Sequence, residues 1–211
     1  SYSYRIQNKN KHFLRGVGFG VRGEYLDAHL HPEAVLFSVE GQVLPIDDNQ
    51  TSLFLVGLLN SALISRLLNT YAGQHKYSGY VNLIPFANPE SNIKNRVANL
   101  TQKAIEIKRM YFASDETCLY FTTLLHKKTN SYLNHFNLSI LGQALYETGM
   151  ADLLSLNNII EEIDQLISTL YKLTSEDFLF DIKPYSTRLP NEKLPGITPG
   201  IHQDTIIEVS N

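Results

Sequence analysis

Apolar and polar positions alternate with a period of two at the start of the chain. Tyr2, Tyr4 and Ile6 alternate with Ser3 and Arg5, a strand pattern. A polar basic turn, Asn8-Lys9-Asn10-Lys11-His12, follows. In Gly16-Val17-Gly18-Phe19-Gly20-Val21-Arg22-Gly23 the glycines read as bends, or as places of close backbone approach in a hairpin. Ala34-Val35-Leu36-Phe37-Ser38-Val39 reads as a buried strand. Glu40-Gly41-Gln42 reads as a turn and Val43-Leu44-Pro45-Ile46 as a return strand. The longest apolar run, Leu53 to Leu68, then reads as one buried helix with Thr51 and Ser52 as candidate N-caps. Leu55, Leu58, Leu59, Ala62 and Leu63 share its core face. Gly57, Ser61 and Ser65 form a second stripe, where another element can approach closely. Asn60, Ser61, Ser65 and Arg66 interrupt the run below the roughly 18 apolar residues that a membrane span needs.

The period lengthens after the central run. Residues 72–80 read as a polar, aromatic loop, and Val81 to Phe86 as a short strand stopped by Pro85. Pro89 and Glu90 open a helix in which Ile93, Val97, Leu100, Ala104, Ile107 and Tyr111 keep a coiled-coil-like seam. Lys94, Arg96, Lys103, Lys108 and Arg109 lie on its other faces as a solvated surface. Ser114-Asp115-Glu116 can cap a helix carrying Leu119, Phe121, Leu124 and Leu125. Leu141, Ala144, Leu145 and Leu153 indicate more helix around Gly149. Asn157 or Asn158 reads as the cap of a helix whose apolar face is Ile159, Ile160, Ile163, Leu166, Ile167, Leu170 and Tyr171. Glu161 and Glu162 then fall in its first turn, where the helix dipole favours them. Thr174-Ser175-Glu176-Asp177 reads as a second capping box. Pro184, Pro190, Pro195 and Pro199 preclude regular structure beyond Lys183 and imply an extended or disordered arm. The predicted class is α+β. A β-rich domain over residues 1–89 surrounds a central buried helix, a helical spacer or docking region covers 90–182, and a tail covers 183–211.

Composition changes this picture little. A chain of 211 residues with 43% hydrophobic residues can bury a real core. Cys118 is the one cysteine, so there is no disulfide framework and no multi-cysteine zinc site. No signal peptide is visible, and the missing initial Met is what a fragment or a processed chain would show. Charge is more informative. The net charge of −3 is split: residues 1–130 hold 14 Lys/Arg and 10 Asp/Glu, and residues 131–211 hold 4 and 11. The basic half is the better surface for a polyanion.

Catalytic patterns are missing where they would be expected. The Gly16–Gly23 segment lacks the following helix of a dinucleotide loop, and no Gly-Lys-Ser/Thr occurs. His29 and His31 lie two apart on one strand face with Glu33 nearby; they read as surface polar residues rather than a metal site. Cys118 reads as core packing within an apolar helix rather than as a nucleophile. Asn88-Pro89-Glu90 lacks the second proline and the aromatic of the adenine-N6 methyltransferase motif, and reads as a helix start. The residues favour a binding module over an enzyme, and no catalytic or metal-binding residue is assigned.

At the central run the sequence resembles a known family. Phe54-Leu55-Val56-Gly57-Leu58-Leu59-Asn60-Ser61-Ala62-Leu63-Ile64 is similar to the Leu-Leu-Asn-Ser signature of TaqI-type C-terminal specificity domains. These domains follow the methyltransferase in type IIG restriction-modification enzymes and in the PglX methyltransferases of BREX phage-defence systems. Upstream lies a Gly/aromatic hairpin and a strand ending in Glu40-Gly41. Downstream, Gly79-Tyr80-Val81-Asn82-Leu83-Ile84-Pro85 resembles the family's strand before a long helix. Glu161 to Thr174, with Glu162-Ile163-Asp164 and Leu170-Tyr171-Lys172-Leu173-Thr174, resembles a helix late in such enzymes. Lys172 stands where the family often has Gly. The resemblance covers roughly residues 10–180 and leaves out the methyltransferase half.

The resemblance implies a DNA target-recognition domain of a prokaryotic, cytoplasmic enzyme that acts on double-stranded DNA beside a methyltransferase domain or subunit. S-adenosylmethionine would belong to that methyltransferase domain, and this chain would hold no cofactor. In such domains basic groups hold phosphates while side chains read base edges. The groups suited to this are Arg5, Lys9, Lys11, His12, Arg15 and Arg22 on the first hairpins, with Lys76, Tyr77 and Tyr80 after the central helix. Gln74 and Asn82 are the candidate base readers, and the helices over 91–125 would space or dock domains. Two other readings stand beside this one: a protein-interaction module that docks on a methyltransferase or another defence-system subunit, and an enzyme with an unrecognised site.

Overall fold

The computed structural model describes residues 8–23, 25–38, 40–73, 75–113, 115–118, 121–122 and 138–174. They form an α+β fold with a small antiparallel sheet and several helices. The predicted Tyr2–Ile6 strand, the capping box from Ser175 onward and the proline-rich arm lie outside these residues, as does most of the predicted helix after Glu116.

The sheet is built on the glycine-rich segment. Strand β1 (Gly16–Gly20) is central, flanked by β2 (His29–His31) and β3 (Gly41–Pro45), both antiparallel to it. Val17, Phe19 and, just beyond the strand, Val21 are buried, at most 1% exposed. The intervening glycines allow neighbours to close in. A Cβ on Gly16 would lie 2.0 Å from the Leu44 carbonyl oxygen, and one on Gly18 2.5 Å from the His29 ring. Close approach is thus what the glycines provide, as the sequence predicts. The apolar run Ala34–Val39 differs from its prediction. Its described residues form no strand, and Val35 and Leu36 are exposed. They belong to the connection by which the chain returns from β2 to the far edge of β1.

The central run is two helices. Helix α1 (Asn49–Leu59) and helix α2 (Ala62–Tyr71) meet at Asn60-Ser61, where the axis bends by 62°. The cap of α1 is Asp48, whose carboxylate accepts from Thr51 N at 2.8 Å, so the predicted caps Thr51 and Ser52 lie inside the helix. Asn60 stands at the break as the C-cap of α1. Its side chain donates to the Ala28 carbonyl at 2.8 Å and accepts from Ala28 N at 2.9 Å, pairing with that backbone as a strand partner would. Ser61 caps α2, and Asp164 accepts from Ala62 N at 2.9 Å. Among the described residues no single helix is long and apolar enough to cross a membrane.

The predicted strand over 81–86 is not formed: a short helix, α3 (Ser78–Val81), ends at its first residue, and residues 82–86 follow as turns and irregular chain. Tyr77 starts a helical turn and Asn82 N donates to the Ser78 carbonyl, so this backbone is satisfied locally rather than by a sheet. Helix α4 (Ser91–Phe112) begins just after Pro89-Glu90, as predicted, and buries Val97, Leu100 and Tyr111 of its seam. At Gly57 helix α4 comes so close to α1 that a Cβ would lie 2.5 Å from Thr101 Oγ1 and 2.8 Å from Val97 Cγ1. Helix α5 (Leu138–Leu170) runs through both Asn157 and Asn158, which are therefore interior positions and not caps. The described residues 115–118 form turns in which Asp115 accepts from Thr117 N. Cys118 thus lies in a turn and not in an apolar helix.

The chain divides into two compact units. Residues 8–102 with 162–174 belong to one and residues 103–161 to the other. The predicted boundary at residue 89 differs from this, because the first turns of α4 pack on α1 through Gly57 and because α5 returns its last turns to the first unit. In the second unit Leu153, Leu156 and Ile160 pack with Ala104, Ile107 and Phe112.

Candidate nucleic-acid interface

Two loops meet beyond the first residue of β1. The first comprises residues 8–15 and opens with a 3-10 turn at Lys9–Lys11. The second comprises residues 32–38. Ala34 N donates to the Phe13 carbonyl at 3.1 Å, the His12 ring meets Phe37 edge to face at 4.9 Å between centroids, and Arg15 lies 3.9 Å from Glu33. Arg15 also donates to the Asp47 carbonyl. Phe13 and Ala34 both take left-handed backbone conformations, with φ of 64° each. For such residues this costs about 1–2 kcal/mol each. The bond between their backbones and the anchoring strands β1 and β2 hold them there.

This loop pair carries cations and exposed apolar groups together. Lys9 and Lys11 are exposed and make no ion pair among the described residues. Other basic groups of the same unit are matched to acids: Arg15 with Glu33, Arg22 with Glu40, Lys94 with Asp48 and Arg96 with Glu162. Phe13 is 55% exposed and Leu36 57%, with Leu14 and Val35 also open to solvent.

The opposite end of β1 places a second group of the predicted residues. Arg22 forks onto Glu40 at 2.8 and 3.2 Å, a hydrogen bond and charge that hold its guanidinium above its ordinary pKa. The Arg22 backbone forms an isolated antiparallel β-bridge with that of His75, whose ring stacks parallel to Tyr77 at 6.3 Å. Ser78 N donates to Gln42 Oε1 at 2.7 Å, tying α3 to β3. Lys76 is wholly buried. Its ammonium donates to the Gly23 and Gly73 carbonyls, so it holds the loop after α2 against the loop after β1. Nothing in the polar string around Lys76 signals this, since its partners are backbone carbonyls. Tyr77, Tyr80 and Asn82 are exposed, and the Tyr80 carbonyl accepts from the Tyr71 hydroxyl at 3.1 Å. Gln74 and Arg5 lie outside the described residues.

The structure thus brings Lys9, Lys11, His12 and Arg15 together at one end of the sheet, and Arg22, Lys76 and Tyr77 at the other. Phe13, Leu14, Val35 and Leu36 join the first group although the sequence reading named none of them as a site residue. The signal was a short apolar run that also fits a buried strand. His29 and His31 share a strand, but each ring nitrogen donates to a nearby carbonyl, of Asp27 at 2.9 Å and of Val35 at 3.2 Å. Among the described residues no group of three or more His, Cys, Asp or Glu is placed to hold a metal ion.

The segments that carry the family resemblance meet elsewhere, in the frame of the first unit. Asn60 pairs with Ala28, Asp164 caps Ala62, and the Tyr171 hydroxyl donates to the Pro85 carbonyl at 2.7 Å. Phe54 meets Phe86 edge to face at 6.5 Å. Three stretches far apart in sequence are therefore joined by hydrogen bonds and ring contact. Compared with known families and with curated proteins, the chain matches no family model and no curated protein.

Proposed function

We propose that this chain recognises double-stranded DNA as the non-catalytic specificity portion of an adenine-N6 DNA methyltransferase or restriction-modification enzyme of the prokaryotic cytoplasm. The observation that carries the reading is the pair of exposed lysines, Lys9 and Lys11, without ion pairs among the described residues. They are held beside Arg15 on loops anchored to a sheet. Elsewhere in the unit the basic groups named above are spent on acids or carbonyls. Ammonium groups on a fixed loop suit phosphate contacts, and the release of counterions makes such contacts strongly salt-dependent. The resemblance of residues 54–64, 79–85 and 161–174 to specificity domains supports the same reading.

The test is duplex-DNA binding by the whole chain over a salt series. Affinity is expected to fall linearly on a log-log plot. The double variant Lys9→Ala/Lys11→Ala should reduce the steepness by roughly two phosphate contacts and leave the thermal midpoint unchanged. Absence of binding at low salt would refute the reading. Lys76 is unsuited to this test, because its substitution would disturb the loops it holds.

A second reading, docking on a methyltransferase or another defence-system subunit, is favoured by Leu83 and Phe86. They are 66% and 59% exposed on the segment after α3. An assembly formed with a catalytic half, and broken by Leu83→Asp, would support that surface whether or not DNA binds.

A further inference from the structure

Phe13 combines three properties that seldom coincide. It is large and apolar, it is more than half exposed, and its backbone is in the left-handed region. A bulky side chain there is a genuine outlier. The loop is nevertheless held, by the Ala34–Phe13 backbone bond, by the His12–Phe37 contact and by the Arg15–Glu33 pair. Lys9 and Lys11 stand four and two residues before it, exposed. An exposed ring on a held loop, with two exposed cations in the residues just before it, matches a duplex, in which rows of phosphates border a stack of apolar base faces.

We infer that Phe13 is a wedge that enters between stacked base pairs of double-stranded DNA, with Lys9 and Lys11 on the flanking phosphates, and bends the duplex there. This rests on the DNA-recognition reading and gives it a mechanism. Part of the sequence preference then comes from how readily a step unstacks, so flexible pyrimidine–purine steps are favoured without any hydrogen bond to them. An anionic membrane surface offers the same pairing of charge with an apolar interior. The fixed backbone favours the duplex, because a lipid surface adapts to its ligand and needs no preset ring.

The discriminating variant is Phe13→Gly. Glycine accepts the left-handed conformation without strain, so the fold should be retained, with a thermal midpoint equal to or above that of the original chain. The probe is duplex DNA enriched from a random pool by binding to the chain. It carries a fluorescent adenine analogue that brightens on unstacking, and end-to-end energy transfer reports the bend. The original chain is expected to brighten the analogue and shorten the end-to-end distance. Phe13→Gly is expected to bind roughly tenfold more weakly, in line with the loss of one base–aromatic stack, with an unchanged salt slope and no bend. Lys9→Ala/Lys11→Ala is expected to do the converse, reducing the slope while the remaining complex still unstacks a base. Salt-dependent binding with equal brightening and bending by Phe13→Gly would overturn the wedge and leave DNA recognition standing. No duplex binding by the original chain would overturn both. In that case, ring-dependent binding to phosphatidylserine vesicles would identify the membrane as the partner.

Discussion

Lys172 takes a backbone conformation that most side chains avoid, with φ of 55°. It lies two residues beyond the end of α5, and the bonds around it define its role. Leu173 N donates to the Ser168 carbonyl at 2.9 Å and Lys172 N to the Thr169 carbonyl at 3.0 Å. This is the Schellman arrangement, in which the left-handed position normally holds glycine. Lys172→Gly is expected to raise stability by about 1 kcal/mol, the relief of left-handed strain less the added backbone entropy of glycine. A higher urea midpoint with an unchanged slope would show this; a lower midpoint would contradict it. Lys76 teaches the opposite lesson about single residues. A lysine in a polar string reads as a surface cation, yet it is buried on two carbonyls. Backbone acceptors leave no trace in a sequence, so neither its burial nor its partners were legible.

At the scale of elements, α1 is held at its start by a charge. The Asp48 carboxylate lies below its ordinary pKa of 3.8. The chief cause is the hydrogen bond from the Thr51 hydroxyl, followed by the bond from the Thr51 backbone, with Lys94 contributing and desolvation opposing. A carboxylate with a depressed folded pKa stabilises the fold fully above its unfolded value and loses that contribution as pH falls through the folded one. Asp48→Asn keeps an acceptor at the cap and removes the titration. Its urea midpoint is therefore expected to vary less with pH below about 4 than that of the original chain. An identical acid limb in both would rule this cap out as a contributor.

Local signals explain which elements the sequence showed. Helix α4 was legible because Pro89 and Glu90 mark its start and its seam keeps one spacing over about five turns. Strand β3 was legible from its short apolar run after Gly41. The break between α1 and α2 was not, because apolar positions continue through it and it is set by distant partners, Ala28 and Asp164. The loop 32–38 was misread for a related reason. A short apolar run fits a buried strand, and only the tertiary context leaves Val35 and Leu36 exposed. The basic members of the candidate interface were legible as residue types; their separation to two ends of β1 was not.

On the scale of the whole molecule, the first unit is not contiguous in sequence. It takes residues 8–102 and then residues 162–174 from the end of α5. The second piece supplies buried Ile163 and Ile167, the Asp164 cap of α2 and the Tyr171 bond to Pro85. A fragment ending at residue 102 loses all of these together. It is expected to lack the cooperative thermal transition of the full chain, as followed by far-ultraviolet circular dichroism. A cooperative transition at the original temperature would show that these contacts are dispensable. Attempts to isolate the loops that carry Lys9, Lys11 and Phe13 should therefore keep α5.

The bond from Ala62 N to Asp164 also fixes an order of events during synthesis. Its partners are 102 residues apart. At roughly 5–20 residues per second a ribosome takes about 5–20 s to travel between them. Throughout that interval the nascent chain holds the first turn of α2 without its carboxylate cap and without the buried Ile163 and Ile167. That interval is when the growing polypeptide most needs a chaperone to shield it.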